Sequence, residues 1–257
     1  RFLLKNLEFQ SAWSIIDQNR PPMNPKILII IPAFNEASSL AKLLEEIRTA
    51  VPEADRVVIN DGSRDLTEET ALKAGTLVAT LPFNLGIGGA VQTGFQIAHE
   101  GGYDVAVQVD GDGQHDPASI RDLIRPVLEG TLDLCVGSRF LEHPTGAFQS
   151  TFARRAGIRF FCRLLELLTG LYLTDPTSGF RATGKKLIGV FAGFYPVDFP
   201  EPEAIKIAKR YSARIGEIPV RMRKRQGGHS SIRYFATLYY MVKVTFAILI
   251  DLLKKKS

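Results

Sequence analysis

Between Lys26 and Arg139 the sequence alternates short aliphatic runs with stretches of helical periodicity, and this alternation constrains the fold more than any other feature. Ile27-Leu28-Ile29-Ile30-Ile31 is unbroken by any polar residue, the mark of a strand buried on both faces. A helix is expected next, capped by Ser38 or Ser39 and running to Ala50, with Leu40, Leu43, Leu44 and Ile47 on one face. The pattern then repeats: strand 56–59, helix 67–75 closed by Gly75, strand 77–80, helix 88–99, strand 105–109, helix 117–128 and strand 134–137. Strict β-α alternation predicts an α/β fold, a mostly parallel sheet flanked by helices on both faces. Apolar residues at 45% and charged residues at 23% are ordinary globular usage and exclude a disordered chain, a collagen-like fibre and a coiled coil.

After Arg139 the alternation stops. A long helix is expected over 154–171, a loop over 175–181, a helix over 201–209, strand structure over 213–222 and a loop over 223–231. Residues 1–22 read as an N-terminal extension or docking helix ended by Pro21-Pro22, without the small-residue cleavage site of a secretory signal. Cys135 and Cys162 form no CxxC pair, which argues against a disulfide framework or a structural zinc site and for buried thiols in a reducing compartment.

Charge is unevenly spread. From Lys206 to the end there are thirteen Lys and Arg against Glu217 and Asp251, whereas the preceding 205 residues carry 19 basic and 25 acidic residues. A basic last fifth on an acidic body calls for an anionic partner, with nucleic acid, phosphates and anionic lipid all qualifying.

Ligands of open parallel sheets bind at the carboxyl ends of the strands. The residues after each strand are Pro32-Ala33-Phe34-Asn35-Glu36, Asn60-Asp61-Gly62-Ser63, Pro82-Phe83-Asn84-Leu85-Gly86, Asp110-Gly111-Asp112-Gly113-Gln114-His115-Asp116 and Ser138-Arg139. Several carboxylates crowded on one edge repel one another unless a cation lies among them. Asp110, Asp112 and Gln114 supply hard oxygen ligands suited to Mg2+ or Mn2+. A calcium loop is the weaker reading, because the distal Glu is lacking. Gly86-Ile87-Gly88-Gly89 matches a dinucleotide fingerprint only loosely; its plainer role is a helix N-terminus lending N–H groups to a phosphate.

Taken in order, these motifs, together with Gly137-Ser138-Arg139 and Asp175-Pro176-Thr177-Ser178-Gly179-Phe180-Arg181, resemble a family 2 glycosyltransferase of GT-A fold. Within that family the likeness is to the dolichyl-phosphate mannosyltransferase and polyprenyl-phosphate glycosyltransferase branch, and it covers residues 26–232. The resemblance implies that Pro32, Phe34, Glu36, Asp61, Asn84, Gly86, Asp110, Gly111 and Arg225 bind the nucleotide-sugar. It implies that Asp110, Asp112 and Gln114 hold Mn2+ or Mg2+, and that Arg139, Arg154, Arg155 and Ser178 face the acceptor phosphate. Asp112, Asp175 and Arg139 would be the catalytic set. Two departures stand out: Asn60-Asp61 replaces the usual Asp-Asp, and Gly228-His229-Ser230-Ser231 lacks the family's Lys, for which Arg225 or Arg223 would substitute.

The chemistry implied is inverting transfer of a sugar from a UDP- or GDP-linked donor to a polyprenyl phosphate. A lipid phosphate is already an oxyanion, so no strong general base is needed. The apolar stretch 235–253, interrupted by Lys243 and Asp251 and followed by Lys254-Lys255-Lys256, is expected to form an amphipathic helix in the membrane interface. Residues 23–232 would then be the catalytic domain and 233–257 a juxtamembrane helix and basic tail. This implies a peripheral or monotopic enzyme at the cytoplasmic face of the plasma membrane, with room for a small membrane subunit or a homo-oligomer. An alternative keeps the fold but transfers to a glycan acceptor in cell-wall or surface polysaccharide synthesis. A nucleic-acid-binding module is disfavoured by the acidic body and the lack of interleaved aromatics. A nucleotidyltransferase is disfavoured because no glycine-rich basic loop follows the first strand.

Overall fold

The protein is described by a computed structural model over residues 25–141, 162–163, 166–167, 170–197 and 200–223. The expectations for 1–22, for the tail 235–253, for the loop beyond 223 and for most of the helix over 154–171 lie outside the described residues.

The elements are β1 (Ile27–Ala33), α1 (Ala37–Ala50), β2 (Asp55–Asn60), α2 (Thr67–Lys73), β3 (Leu77–Thr80), α3 (Gly86–Glu100), β4 (Val105–Gln108), a 3-10 turn (Pro117–Ser119) leading into α4 (Ile120–Leu128), β5 (Leu134–Ser138), β6 (Arg181–Gly184), α5 (Lys185–Gly193), α6 (Pro200–Arg210) and β7 (Ile215–Pro219). The strands form one sheet in the order β3-β2-β1-β4-β6-β5-β7. All pairs are parallel except those of β6, which runs antiparallel to both β4 and β5.

β1 lies inside the sheet, and all seven of its residues are buried. Because successive side chains point to opposite faces, Leu28 and Ile30 join a core with Val91, Phe95, Leu187, Phe191 and Ile205 from α3, α5 and α6. Ile27, Ile29 and Ile31 join a second core with Leu40, Leu43, Leu44, Ile47, Leu123 and Ile124 from α1 and α4. On the first face, α3 comes very close to the sheet. A Cβ on Gly94 would stand 2.2 Å from Ile30 Cγ2, so only glycine fits there.

The five predicted strands and four helices through Ser138 are all present. Three local readings need correction. The N-cap of α1 is Glu36, and Ser39 instead donates its hydroxyl to Gly111 O at 2.8 Å. The stretch expected as one helix from Pro117 opens as a 3-10 turn capped by Asp116. The loop expected over 175–181 ends in β6, and α5 follows, neither of which was anticipated. β6 is only four residues long and begins with a buried Arg, so it has no aliphatic run to signal a strand.

β6 matters for the site because its direction is reversed. Arg181, its first residue, pairs with Gln108 at the end of β4 and with Val136 in β5. The 175–180 loop is thereby delivered to the same edge of the sheet as the carboxyl ends of the parallel strands.

Candidate active site

At the β1–β2 side, the loops after both strands are tied to each other. Asn35 takes a left-handed conformation (φ 56), which its short side chain tolerates. Its N–H donates to Ser63 Oγ at 3.0 Å and its Oδ1 accepts from Arg64 N at 2.8 Å. Glu36 is buried, and its N–H donates to Thr67 Oγ1 at 2.9 Å. Pro32 is the penultimate residue of the buried strand β1, and Phe34, just past its end, is exposed. Asp61 is buried, and its Oδ1 accepts from Leu85 N at 2.7 Å. Burial pushes the Asp61 carboxyl above its ordinary range, against the opposing effect of the Leu85 and Gly86 N–H groups. Asn84 Nδ2 donates to Asp61 O at 3.2 Å and its Oδ1 accepts from Gly86 N at 3.1 Å, so Asp61, Asn84 and Gly86 form one unit at the start of α3.

The acidic turn after β4 is built by its own backbone and by a neighbouring loop. Asp110 Oδ1 accepts from the buried Gln108 Nε2 at 3.1 Å, and Asp112 Oδ1 accepts from Gln114 N at 3.0 Å. Gly111 lies against β1, where a Cβ would stand 3.1 Å from Pro32 O. His115 is buried, stacked on Phe180 with ring centroids 4.8 Å apart, and its Nδ1 accepts from Asp110 N at 3.0 Å. Gly179 presses directly on the carboxylate of Asp110. A Cβ there would fall 3.0 and 3.2 Å from its two oxygens and 2.9 Å from Gln108 Nε2.

At the β5 end, Arg139 and Asp175 form a two-point ion pair, Nε to Oδ2 at 2.5 Å and Nη2 to Oδ1 at 2.6 Å. Arg139 N and Nη2 further donate to Asp175 Oδ2 and Thr177 Oγ1. Burial works against the charge on Arg139, but its hydrogen bonds and attraction to Asp175 prevail and hold the guanidinium above its usual value. Ser178 is buried, and its Oγ accepts from Phe180 N at 3.3 Å.

Of three further polar residues of this edge, Arg181 closes the Asp175–Arg181 motif, and Glu201 and Glu217 lie in no motif. Arg181 is buried, and among the described residues it donates to three carbonyls, Ser178 O, Pro176 O and Glu201 O, each at 2.7 Å. Glu201, in the first turn of α6, has its carboxyl pushed up by burial, with Arg181 opposing and Asp110 adding to the rise. Glu217 on β7 accepts from Thr174 and Asp175. A charged residue set within Ile215-Gly216-Glu217-Ile218 was the available signal for Glu217.

The expected residues are thus distributed as follows. Glu36, Asp61, Asn84, Asp110, Gly111, Asp112, Gln114, Arg139, Asp175 and Ser178 belong to the loops of one sheet edge, with Pro32 near the end of β1, Phe34 just past it and Gly86 opening α3 at the same edge. Arg154, Arg155 and Arg225 lie outside the described residues. Arg223 is tied into the fold: its guanidinium pairs with Glu46 and, at 2.8 Å, with Asp116, and its N–H donates to Gln114 O at 2.8 Å. The thiols of Cys135 and Cys162 are buried and pushed up to about 12, in keeping with inert cysteines.

Among the described residues no three His, Cys, Asp or Glu side chains gather into a closed metal site. The donors of the acidic turn nevertheless fit a hard divalent cation. Mg2+ and similar ions are commonly held by one or two carboxylates, with substrate phosphates and water filling the remaining positions.

Residues 28–188, more than half of the chain, match the family described as Glycosyl transferase family 2. The chain belongs to glycosyl transferase family 2. Among the curated members of this family, the UDP-N-acetylglucosamine--dolichyl-phosphate N-acetylglucosaminyltransferase of Methanococcus voltae is 30% identical over 76% of this chain and 84% of its own length. The undecaprenyl-phosphate mannosyltransferase of Micrococcus luteus is 37% identical over 61% of this chain and 65% of its own. In fold, the chain is similar to glucosyl-3-phosphoglycerate synthase of Mycobacterium tuberculosis, solved with Mn2+, UDP and glucosyl-3-phosphoglycerate, with a TM-score of 0.66 at 19% identity over 94% of this chain and 82% of that one. This family 2 glycosyltransferase is therefore a sugar-transferring enzyme with an α/β sheet of GT-A type. Among the described residues no helix is long and apolar enough to cross a membrane.

Proposed function

We propose that this glycosyltransferase moves a sugar from a nucleotide-sugar to a polyprenyl phosphate, with inversion at the anomeric carbon. The observation that carries the reading is the engagement of Asp175. It is fully buried and holds Arg139 with both oxygens, so it serves as an anchor for a cation and not as a base. His115 is likewise buried against Phe180 and taken up by Asp110 N. Such a site suits an acceptor that arrives already ionised. The relatives named for dolichyl and undecaprenyl phosphate acceptors point the same way.

In this reading Asp61, Asn84 and Gly86, with Pro32, Phe34 and Glu36, hold the nucleoside, and Gly111, packed close on β1, sets the acidic turn beside the diphosphate. Asp110 and Asp112, beside Gln114, are the residues that would hold Mn2+ or Mg2+, which when bound neutralises the leaving diphosphate as a Lewis acid. Arg139, aligned by Asp175, faces the acceptor phosphate together with Ser178 and with Arg154 and Arg155, and Arg225 closes over the donor. Holding both phosphates in line is worth several orders of magnitude in rate. The catalytic domain is residues 23–232, and 233–257 rests in the interface of the cytoplasmic leaflet, its basic tail toward anionic lipid.

The test is a comparison of acceptors. Polyprenyl phosphate should accept labelled sugar, and the matching polyprenol, which lacks the ionised nucleophile, should not. Equal transfer to the alcohol, or transfer to a glycan with none to the lipid phosphate, would overturn the assignment.

A further inference from the structure

Glu217 stands at the start of a hydrogen-bonded chain that ends on Arg139. Its Oε2 accepts from Thr174 N at 2.7 Å and from Thr174 Oγ1 at 2.9 Å, and its Oε1 accepts from Asp175 N at 2.8 Å. Thr174 Oγ1 is also 2.5 Å from Ser138 Oγ, which in turn accepts from Phe140 N at 3.1 Å. The residues on both sides of Arg139, and the segment that carries Asp175, are thus held to one carboxylate on β7. β7 is itself registered on β5, with Val136 opposite Glu217. Beyond Asp175, the same loop is fixed by Arg181 on Pro176 O and Ser178 O and pressed by Gly179 against Asp110.

We infer that Glu217 is a positioning residue for sugar transfer: by accepting both backbone N–H groups of Thr174 and Asp175, it sets the Asp175 carboxylate that in turn aims the Arg139 guanidinium at the acceptor phosphate. The inference rests on the role proposed for Arg139. A carboxylate is required because both of its oxygens face donors. Glutamine at this position would turn an NH2 group toward one of those N–H groups and lose at least one bond. A buried N–H left without an acceptor is costly, and the loop would shift to satisfy it.

The test uses Glu217→Gln in the full chain, with two readouts. The first needs no substrate: amide hydrogen exchange over 174–180 should become at least about tenfold faster, while the global melting transition stays cooperative. The second is a double-mutant cycle with Arg139→Lys. Glu217→Gln alone should lower kcat with polyprenyl phosphate by about 100-fold, with KM for the nucleotide-sugar little changed. In the Arg139→Lys background the same change should cost only a few-fold, because neighbouring residues of one network are not additive. If the Gln variant does not fold, Glu217→Asp, which keeps the charge but shortens the reach, goes through the same cycle with the same expectation. Unchanged exchange over 174–180, or a full and additive loss in the Arg139→Lys background, would overturn the inference. Absence of transfer to polyprenyl phosphate by the wild type would instead sink the proposed function, leaving the exchange experiment to decide on Glu217.

Discussion

Arg139 and Asp175 are joined at two points, and neither faces open solvent: the Asp175 side chain is 0% exposed and that of Arg139 8%. Removing one partner of a buried pair leaves an uncompensated charge, a larger penalty than the pair's own net contribution. Asp175→Asn keeps the shape but loses the charge and one acceptor. It should lower unfolding stability by about 3 kcal/mol in chemical denaturation and cut turnover with polyprenyl phosphate by at least about 100-fold. Wild-type turnover in this variant would show that the pair is structural only.

Asp112 is only partly buried, so its loss should be a loss of function more than of fold. Asp112→Ala should abolish transfer while lowering stability by only about 1 kcal/mol, the net contribution of its hydrogen bond from Gln114 N. Activity assays with Mn2+ or Mg2+ beside a thermal melt separate the two. Full activity in the variant would contradict the assignment of the acidic turn as the cation site.

Gly179 is glycine because Asp110 and Gln108 leave no space for a side chain. In Gly179→Ala the new methyl group would crowd Gln108 Nε2 at 2.9 Å and the Asp110 carboxylate at 3.0 Å, so these side-chain ends or the loop that carries Asp175 must give way. Overpacking of this kind costs about 1–3 kcal/mol, and displacement of Asp110 should raise the concentration of Mn2+ needed for half-maximal transfer. A variant with unaltered stability and metal requirement would mean that the loop does not press on Asp110.

Asp61 carries a stability cost that its proposed role in nucleotide binding would explain. Its carboxyl lies above its ordinary value in the fold because it is desolvated. A carboxyl with a raised folded value binds its proton more tightly in the folded state. It therefore supports stability at low pH, and that contribution fades as pH rises from the ordinary carboxylate value through the elevated one. Asp61→Asn keeps the acceptor for Leu85 N without the buried charge. Between about pH 3 and pH 7 the variant should gain stability relative to the wild type as pH rises, while its affinity for the nucleoside diphosphate falls. A stability difference that does not change with pH would show that Asp61 is not desolvated in the fold.

What could be read from the chain and what could not divide along a physical line. β1 and its aliphatic neighbours announce themselves because strands buried on both faces have no polar residue to interrupt them. Asp61 and the Asp110–Asp112 turn are legible because they directly follow such strands. β6 is not, because it opens on Arg181 in place of an aliphatic run, and the burial of Arg181 depends on carbonyls that only the folded chain brings to it, among them that of Glu201. Glu217 and Glu201 were missed for the same reason. Each is about 40 or 20 residues from the group it serves, and only folding brings β7 beside Thr174 and α6 beside Arg181. Arg223 has partners of the same hidden kind: a basic residue in a basic run suggests a phosphate ligand, and its pairs with Glu46 and Asp116 emerge only once α1 and the turn before α4 are in place.

The most direct test of the whole account is chelator-sensitive transfer to lipid phosphate. Labelled UDP-glucose, UDP-N-acetylglucosamine, UDP-galactose and GDP-mannose would each be incubated with the purified enzyme, polyprenyl phosphate and Mn2+, with and without EDTA. The account predicts label in the lipid phase from one of these donors, lost on chelation and restored by added Mn2+. Label that survives chelation would contradict the role of Asp110 and Asp112, and transfer to a glycan with none to the lipid phosphate would contradict the acceptor.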